Sequence, residues 1–196
     1  MALPLPCAED IATGQRRWPR TLSVGIDDVT KPWQLHKIKR QVLSLLADTS
    51  AFAVTTMLDF YALPKDFPGS QTAPAGHCYQ KVAHLEQHLA DDIADRRFIP
   101  YIQLHEFEAL LFTSPESIAR ILRGNAADIT AIRGQFHSPE EIDDDPQTSP
   151  SHRIKSLFPA YQKTLHASLV IKEIGIPAIT AICPHFQEWL RRLADG

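Results

Sequence analysis

The chain has 196 residues, 20 Lys and Arg against 23 Asp and Glu, a net charge of -3 and 44% hydrophobic residues. That length holds one domain with at most a helical appendage, and the composition excludes disorder for most of the chain, collagen and coiled coil. The mild acidity excludes bulk electrostatic binding of nucleic acid. No run reaches the roughly 18 apolar residues of a membrane span, and three scattered cysteines (Cys7, Cys78, Cys183) suit a reducing, cytoplasmic compartment rather than a disulfide framework or a zinc ribbon.

Residues 1–20 carry no clean period and read as a poorly ordered N-terminal segment. TLSVG at 21–25 reads as a short strand. Over 33–47, Trp33, Leu35, Ile38, Val42, Leu45 and Leu46 recur at helical spacing, with basic residues mostly opposite, which predicts an amphipathic helix. AFAVTTML at 51–58 is short, apolar and β-branched, the pattern of a central parallel strand covered on both faces. It ends at Asp59, and YALPKDFPGS follows as a Pro/Gly-punctuated loop. Residues 79–95 predict a second helix with Val82, Leu85, Leu89 and Ile93 on one face. FIPYIQL at 98–104 reads as a second buried strand running into HEFEALLF, an apolar helical turn with two acids.

From residue 114 the texture is helical. Ser114, Pro115 and Glu116 give a cap, a first-turn proline and an acidic first turn, for a helix ending near Gly124. Residues 137–152 read as a polar, proline-rich loop. Helices are then expected at 154–164, at 167–174 closed by Gly175, at 177–182 and at 184–194. Strands alternating with helices, then helices alone, predict a three-layer α/β core over 21–113 and a helical C-terminal portion over 114–196 packed on it.

The sharpest chemical signal is an acid after each clear strand: Asp59 after the first, Glu106 and Glu108 after the second. Ligands of open parallel sheets bind outside the carboxyl ends of the strands, and hard cations such as Mg²⁺ take one or two carboxylates plus water and phosphate oxygen. Asp66 in KDFPG is a further candidate metal ligand. The plainer alternative is that Asp59 caps a turn and that the two glutamates start a helix. On a regular helix, Glu106 and Glu108 would point about 200° apart. Glu108 sits in an apolar run where a charge is costly unless paired or metal-bound. His84 and His88 stand four apart on a helix, without further ligands nearby. HEFEA lacks the second histidine of a zinc-protease helix, and no glycine-rich phosphate loop exists. Ser149, Ser151 and His152 lack a nucleophile elbow. Asp143, Asp144 and Asp145 read as a solvated run.

Four stretches carry a resemblance. VTTMLDFYALPKDFPG (54–69), RFIPYIQLHEFEALLF (97–112), SPEEIDDDPQTSPSHRI (138–154) and IPAITAICPHFQEWLRRL (176–193) resemble, in order, signatures of the bacterial family known as domain of unknown function 4276. The resemblance implies a Toprim-like, Mg²⁺- or Mn²⁺-dependent phosphodiesterase that cuts DNA or RNA in an anti-phage system, with an ATPase partner of the ABC or AAA class. It implies catalytic roles for Asp59, Glu106, Glu108 and Arg153, and metal binding by Asp59, Asp66 and Glu108. The family's usual opening strand with its glutamate has no counterpart here, since neither Glu9 nor Asp10 follows a strand pattern. Asp143 stands where the family pattern has Asn, and His152 where it has Lys. A non-catalytic effector or scaffold subunit that binds the ATPase is the rival expectation.

Overall fold

The structure is a computed structural model that describes residues 35–142, 145 and 147–195, together with the backbone of Ala8–Glu9 and Arg16–Arg17. Those two short segments, β1 (Ala8–Glu9) and β2 (Arg16–Arg17), pair antiparallel. The remainder of 1–34, including the strand expected at 21–25 and Trp33, lies outside the described residues. Helix α1 (Leu35–Leu46) buries Ile38, Val42 and Leu46, three positions of the predicted stripe.

The two predicted strands pair parallel, as two short ladders, but among the described residues each ladder has only two strands, so the strand expected to be central stands at an edge. Strand β3 (Val54–Thr55) is followed by β4 (Leu58–Asp59), and helix α2 (Cys78–Ile93) leads to β5 (Phe98–Ile99) and β6 (Ile102–Gln103). β3 pairs parallel with β5 and β4 with β6, in one continuous register from Val54↔Phe98 to Asp59↔Gln103. The interruption has a cause in the sequence: Pro100 has no N–H to give the ladder. At the break, the Thr56 hydroxyl accepts from the Tyr101 N–H at 3.1 Å, so a side chain replaces the missing backbone partner. Asp59 is the last residue of its strand, as expected.

Side-chain alternation sends the two faces of these strands into separate cores. Val54, Leu58, Phe98 and Ile102 pack with α1 and α2, against Val42, Val82, Leu85 and Leu89. Ile99 and Tyr101 point the other way, toward Phe186, Trp189 and the C-terminal helices. A helix layer therefore covers each face, which is the α/β arrangement with a helical C-terminal portion. Arg97 ties the edge of this unit together: its guanidinium donates to the carbonyls of Leu46 (2.6 Å) and Asp48 (3.1 Å), closing the end of α1.

The C-terminal portion contains α3 (Pro115–Leu122), α4 (Ala126–Arg133), α5 (Pro150–Leu157), α6 (Lys163–Ile174), α7 (Ile176–Ile182) and α8 (Pro184–Asp195). Ser114 caps α3 as predicted, accepting from the Ser117 N–H at 3.2 Å. Helix α4 is an addition to the sequence reading. It starts at the Asn125 cap and buries only Ile129, so it offered little periodicity to read. The helix expected at 154–164 ends at Leu157, and α6 starts at Lys163 and runs unbroken through the gap expected before residue 167. Phe158 precedes Pro159, which disfavours helical backbone, and it sits at φ -131°, ψ 83°. The loop expected at 137–152 is not wholly solvated: Ser138, Glu140, Ile142 and Ser149 are buried, and Pro139–Glu141 form a 3₁₀ turn. Among the described residues no single helix is long and apolar enough to cross a membrane.

Candidate active site

The chain leaves β6 through His105, whose left-handed backbone (φ 59°) makes the turn that places Glu106 in extended conformation. Phe107–Thr113 then coil as a 3₁₀ helix that carries Glu108 and the fully buried Leu110, Leu111 and Phe112. The expectation that Glu106 and Glu108 diverge assumed regular helix. The extended-to-3₁₀ junction removes that premise, and both glutamates act electrostatically on Asp59 and on Lys163.

Asp59 does cap a turn, though not its own. Its Oδ1 accepts from the Phe107 N–H at 2.9 Å, closing the start of the 3₁₀ helix on the neighbouring strand. Its Oδ2 lies 3.9 Å from Lys163 Nζ, and the same ammonium reaches Glu108 Oε2 at 2.8 Å. The Asp59 and Glu108 carboxylates are therefore no farther apart than those two distances combined, as a shared site requires. Glu108 is fully buried, and its Oε1 accepts from the Tyr161 hydroxyl at 3.2 Å. Oε2 is different: apart from the Lys163 ammonium at 2.8 Å, this buried oxygen has no described partner. Glu106 Oε2 accepts from the Ser151 N–H at 2.9 Å, at the positive end of the α5 dipole.

Electrostatics follow from this geometry. Burial pushes the Asp59 carboxyl up to about 6, against the pull of Lys163 and with the push of Glu108. Burial likewise raises Glu108, partly offset by Lys163. Burial alone would lower Lys163, but Glu108, Asp59 and Glu106 outweigh it and hold the ammonium charged. Tyr61, 53% exposed, stands at the mouth with its ring centroid 6.0 Å from Lys163 Nζ.

The described contacts of the other sequence candidates are as follows. Asp66 is exposed in its loop, with no described contact to Asp59, Glu106 or Glu108. Arg153 donates to the Thr148 carbonyl and lies over the Phe136 ring, 5.6 Å from its centroid. The cation that touches Asp59 and Glu108 is Lys163. Ser149 caps α5, and Ser151 serves Glu106 through its backbone N–H. His84 holds Gly69 and Thr72, at 3.2 Å and 3.1 Å, and packs on His88. Asp143 and Asp144 lie outside the described residues.

Lys163 and Tyr161 escaped sequence reading, although one signal existed. Lys163 opens α6, where a cation meets the positive end of the helix dipole, and that first turn holds no acid. A lysine there needs carboxylates from elsewhere in the fold.

A divalent cation is what the family resemblance implies for these acids. The donor set is chemically suitable: carboxylate oxygens only, one of them buried with spare acceptor capacity. Among the described residues no three or more His, Cys, Asp or Glu are arranged around one metal position, and an ammonium lies between Asp59 and Glu108 instead.

The profile of the family described as Domain of unknown function (DUF4276) matches residues 18–194. The chain belongs to this family. No curated protein and no solved structure matches it. The family match spans the parallel strands β3–β6, the acid cluster and the helical portion alike, so Asp59, Glu106, Glu108 and Lys163 all lie within it.

Proposed function

We propose that this member of the DUF4276 family is a Mg²⁺- or Mn²⁺-dependent phosphodiesterase with a Toprim-like arrangement of acids, cleaving DNA or RNA. We place it in the cytoplasm, in an anti-phage system with an ABC- or AAA-type ATPase. The observation that carries the reading is the convergence of Asp59, Glu106 and Glu108 where two parallel strands end. Asp59 Oδ2 and Glu108 Oε2 are the oxygens that would hold the cation. Such a cation polarises the scissile phosphate and lowers the pKa of a bound water. Tyr161 fixes one oxygen of Glu108 and leaves the other for binding. Lys163 takes the cationic role that the sequence reading gave to Arg153.

A second reading, a non-catalytic subunit that docks on the ATPase, is favoured by a different observation. Each acid already has an internal donor: Phe107 N–H for Asp59, Ser151 N–H for Glu106, and Tyr161 with Lys163 for Glu108. The deciding experiment incubates the chain with labelled single- and double-stranded DNA and RNA, Mg²⁺ or Mn²⁺, and a candidate ATPase. The enzyme reading expects cleavage that falls on the order of a hundredfold or more in Glu108→Gln. Wild-type chain that binds no metal calorimetrically and cuts no substrate, with or without the ATPase, establishes the docking reading instead.

A further inference from the structure

We propose that Lys163 is a resident stand-in for the divalent cation: its ammonium bridges Asp59 and Glu108 in the metal-free protein and leaves them when the cation enters. The inference rests on the reading of this cluster as a metal site and adds how that site is regulated. Four features carry it. First, the ammonium lies between the two carboxylates, 2.8 Å from one and 3.9 Å from the other, where a shared cation would neutralise both. Second, the buried Glu108 Oε2 that it reaches at 2.8 Å has no other described donor, so that oxygen is open once the ammonium leaves. Third, Lys163 opens α6 at the positive end of the helix dipole, with no acid in the first turn, so its own helix gives it no counter-charge. Fourth, its side chain is 46% exposed and Tyr61 offers an exposed aromatic face 6.0 Å away. The ammonium already lies over that ring, so on leaving the carboxylates it can keep this contact.

The reason for a stand-in is electrostatic. Three acids meet here with Glu106 and Glu108 buried, and carboxylates taken out of water beside one another are stabilised by a cation among them. Lys163 supplies one positive charge where a divalent cation supplies two. Entry of the cation is therefore an exchange, and its apparent affinity is lowered by the work of expelling the ammonium.

The test has two independent arms. Mn²⁺ titration by calorimetry compares wild type with Lys163→Met and Lys163→Arg. Removing the competitor should tighten Mn²⁺ binding by a factor on the order of ten or more, whereas Lys163→Arg keeps the charge and should stay near wild type. The second arm uses the wild-type chain alone, so it survives any folding defect of the variants. Amine-reactive labelling followed by peptide mass spectrometry should show Lys163 reacting faster in Mn²⁺ than in chelator, while Lys39 and Lys172 stay unchanged. Unaltered or slower labelling of Lys163 in Mn²⁺ overturns the proposal, as does Lys163→Met binding Mn²⁺ no more tightly than a wild type that binds it. If neither wild type nor any variant binds Mn²⁺, the metal-site reading itself falls and the stand-in falls with it.

Discussion

Asp59→Asn should make the metal-free protein more stable at neutral pH, not less. Burial moves the Asp59 carboxyl from its ordinary 3.8 to about 6, and this value already includes the attraction of Lys163. At about 1.4 kcal/mol per pH unit, holding the charged form in the fold costs about 3 kcal/mol relative to the unfolded chain. Asparagine has nearly the same shape and keeps an oxygen for the Phe107 N–H, so the start of the 3₁₀ helix survives. Its amide nitrogen needs a partner of its own, which brings the expected gain to about 1–3 kcal/mol, or a rise in Tm of roughly 3–9 °C at this chain length. The sign follows from proton counting. The folded value is raised, so between 3.8 and about 6 the folded state holds more protons than the unfolded one, and wild-type stability falls as pH rises through that window. Asparagine does not titrate, so its advantage should grow across the window, be full above about pH 7 and largely vanish near pH 4. Urea unfolding of both proteins in chelator at those two pH values measures it. A destabilised variant at neutral pH, or a gain of equal size at both pH values, would refute the desolvation argument.

Three further outcomes follow from other contacts. Tyr161→Phe removes the hydroxyl that donates to buried Glu108 Oε1 and should cost about 1–2 kcal/mol in metal-free urea unfolding; an unchanged midpoint would mean that Glu108 has another donor. Glu140 is fully buried and accepts from the His185 and Phe186 N–H groups at 3.0 and 2.9 Å, at the start of α8, so Glu140→Ala should lose about 3 kcal/mol or more, and a loss below about 1 kcal/mol would contradict its capping role. Burial alone would lower His185, but its bond to Glu86 at 3.0 Å and the charges of Glu86 and Glu140 raise it above the ordinary 6.5. That stabilisation is fully present below about 6.5 and fades as pH rises through the raised value, so the stability gap between wild type and His185→Gln should narrow as pH rises above about 6.5. A gap that stays flat or widens counts against a charged His185.

The sequence by itself determined the elements whose signal is local. The stripe of Ile38, Val42 and Leu46, the stripe of Val82, Leu85, Leu89 and Ile93, and the Ser114 cap all stand where spacing put them. Hydrophobic periodicity and capping depend on neighbours a few residues away, so a single chain displays them. The same holds for Asp59 at the end of its strand and for the motifs that tie the chain to its family. Where a local rule was present but unweighed, the structure enforced it: Pro100 split the ladder, and Pro159 split the expected helix at 154–164. Only the tertiary structure decided which charges meet. Glu140 lies in a run that reads as solvated, yet it is buried under the first amides of α8. Glu106 and Glu108 face one cluster because the backbone passes through a left-handed residue into a 3₁₀ turn, a conformation that helical periodicity does not foresee. Lys163 reaches Asp59 and Glu108 because α6 packs against that turn, and a charge pair between distant segments leaves no periodic mark in the sequence.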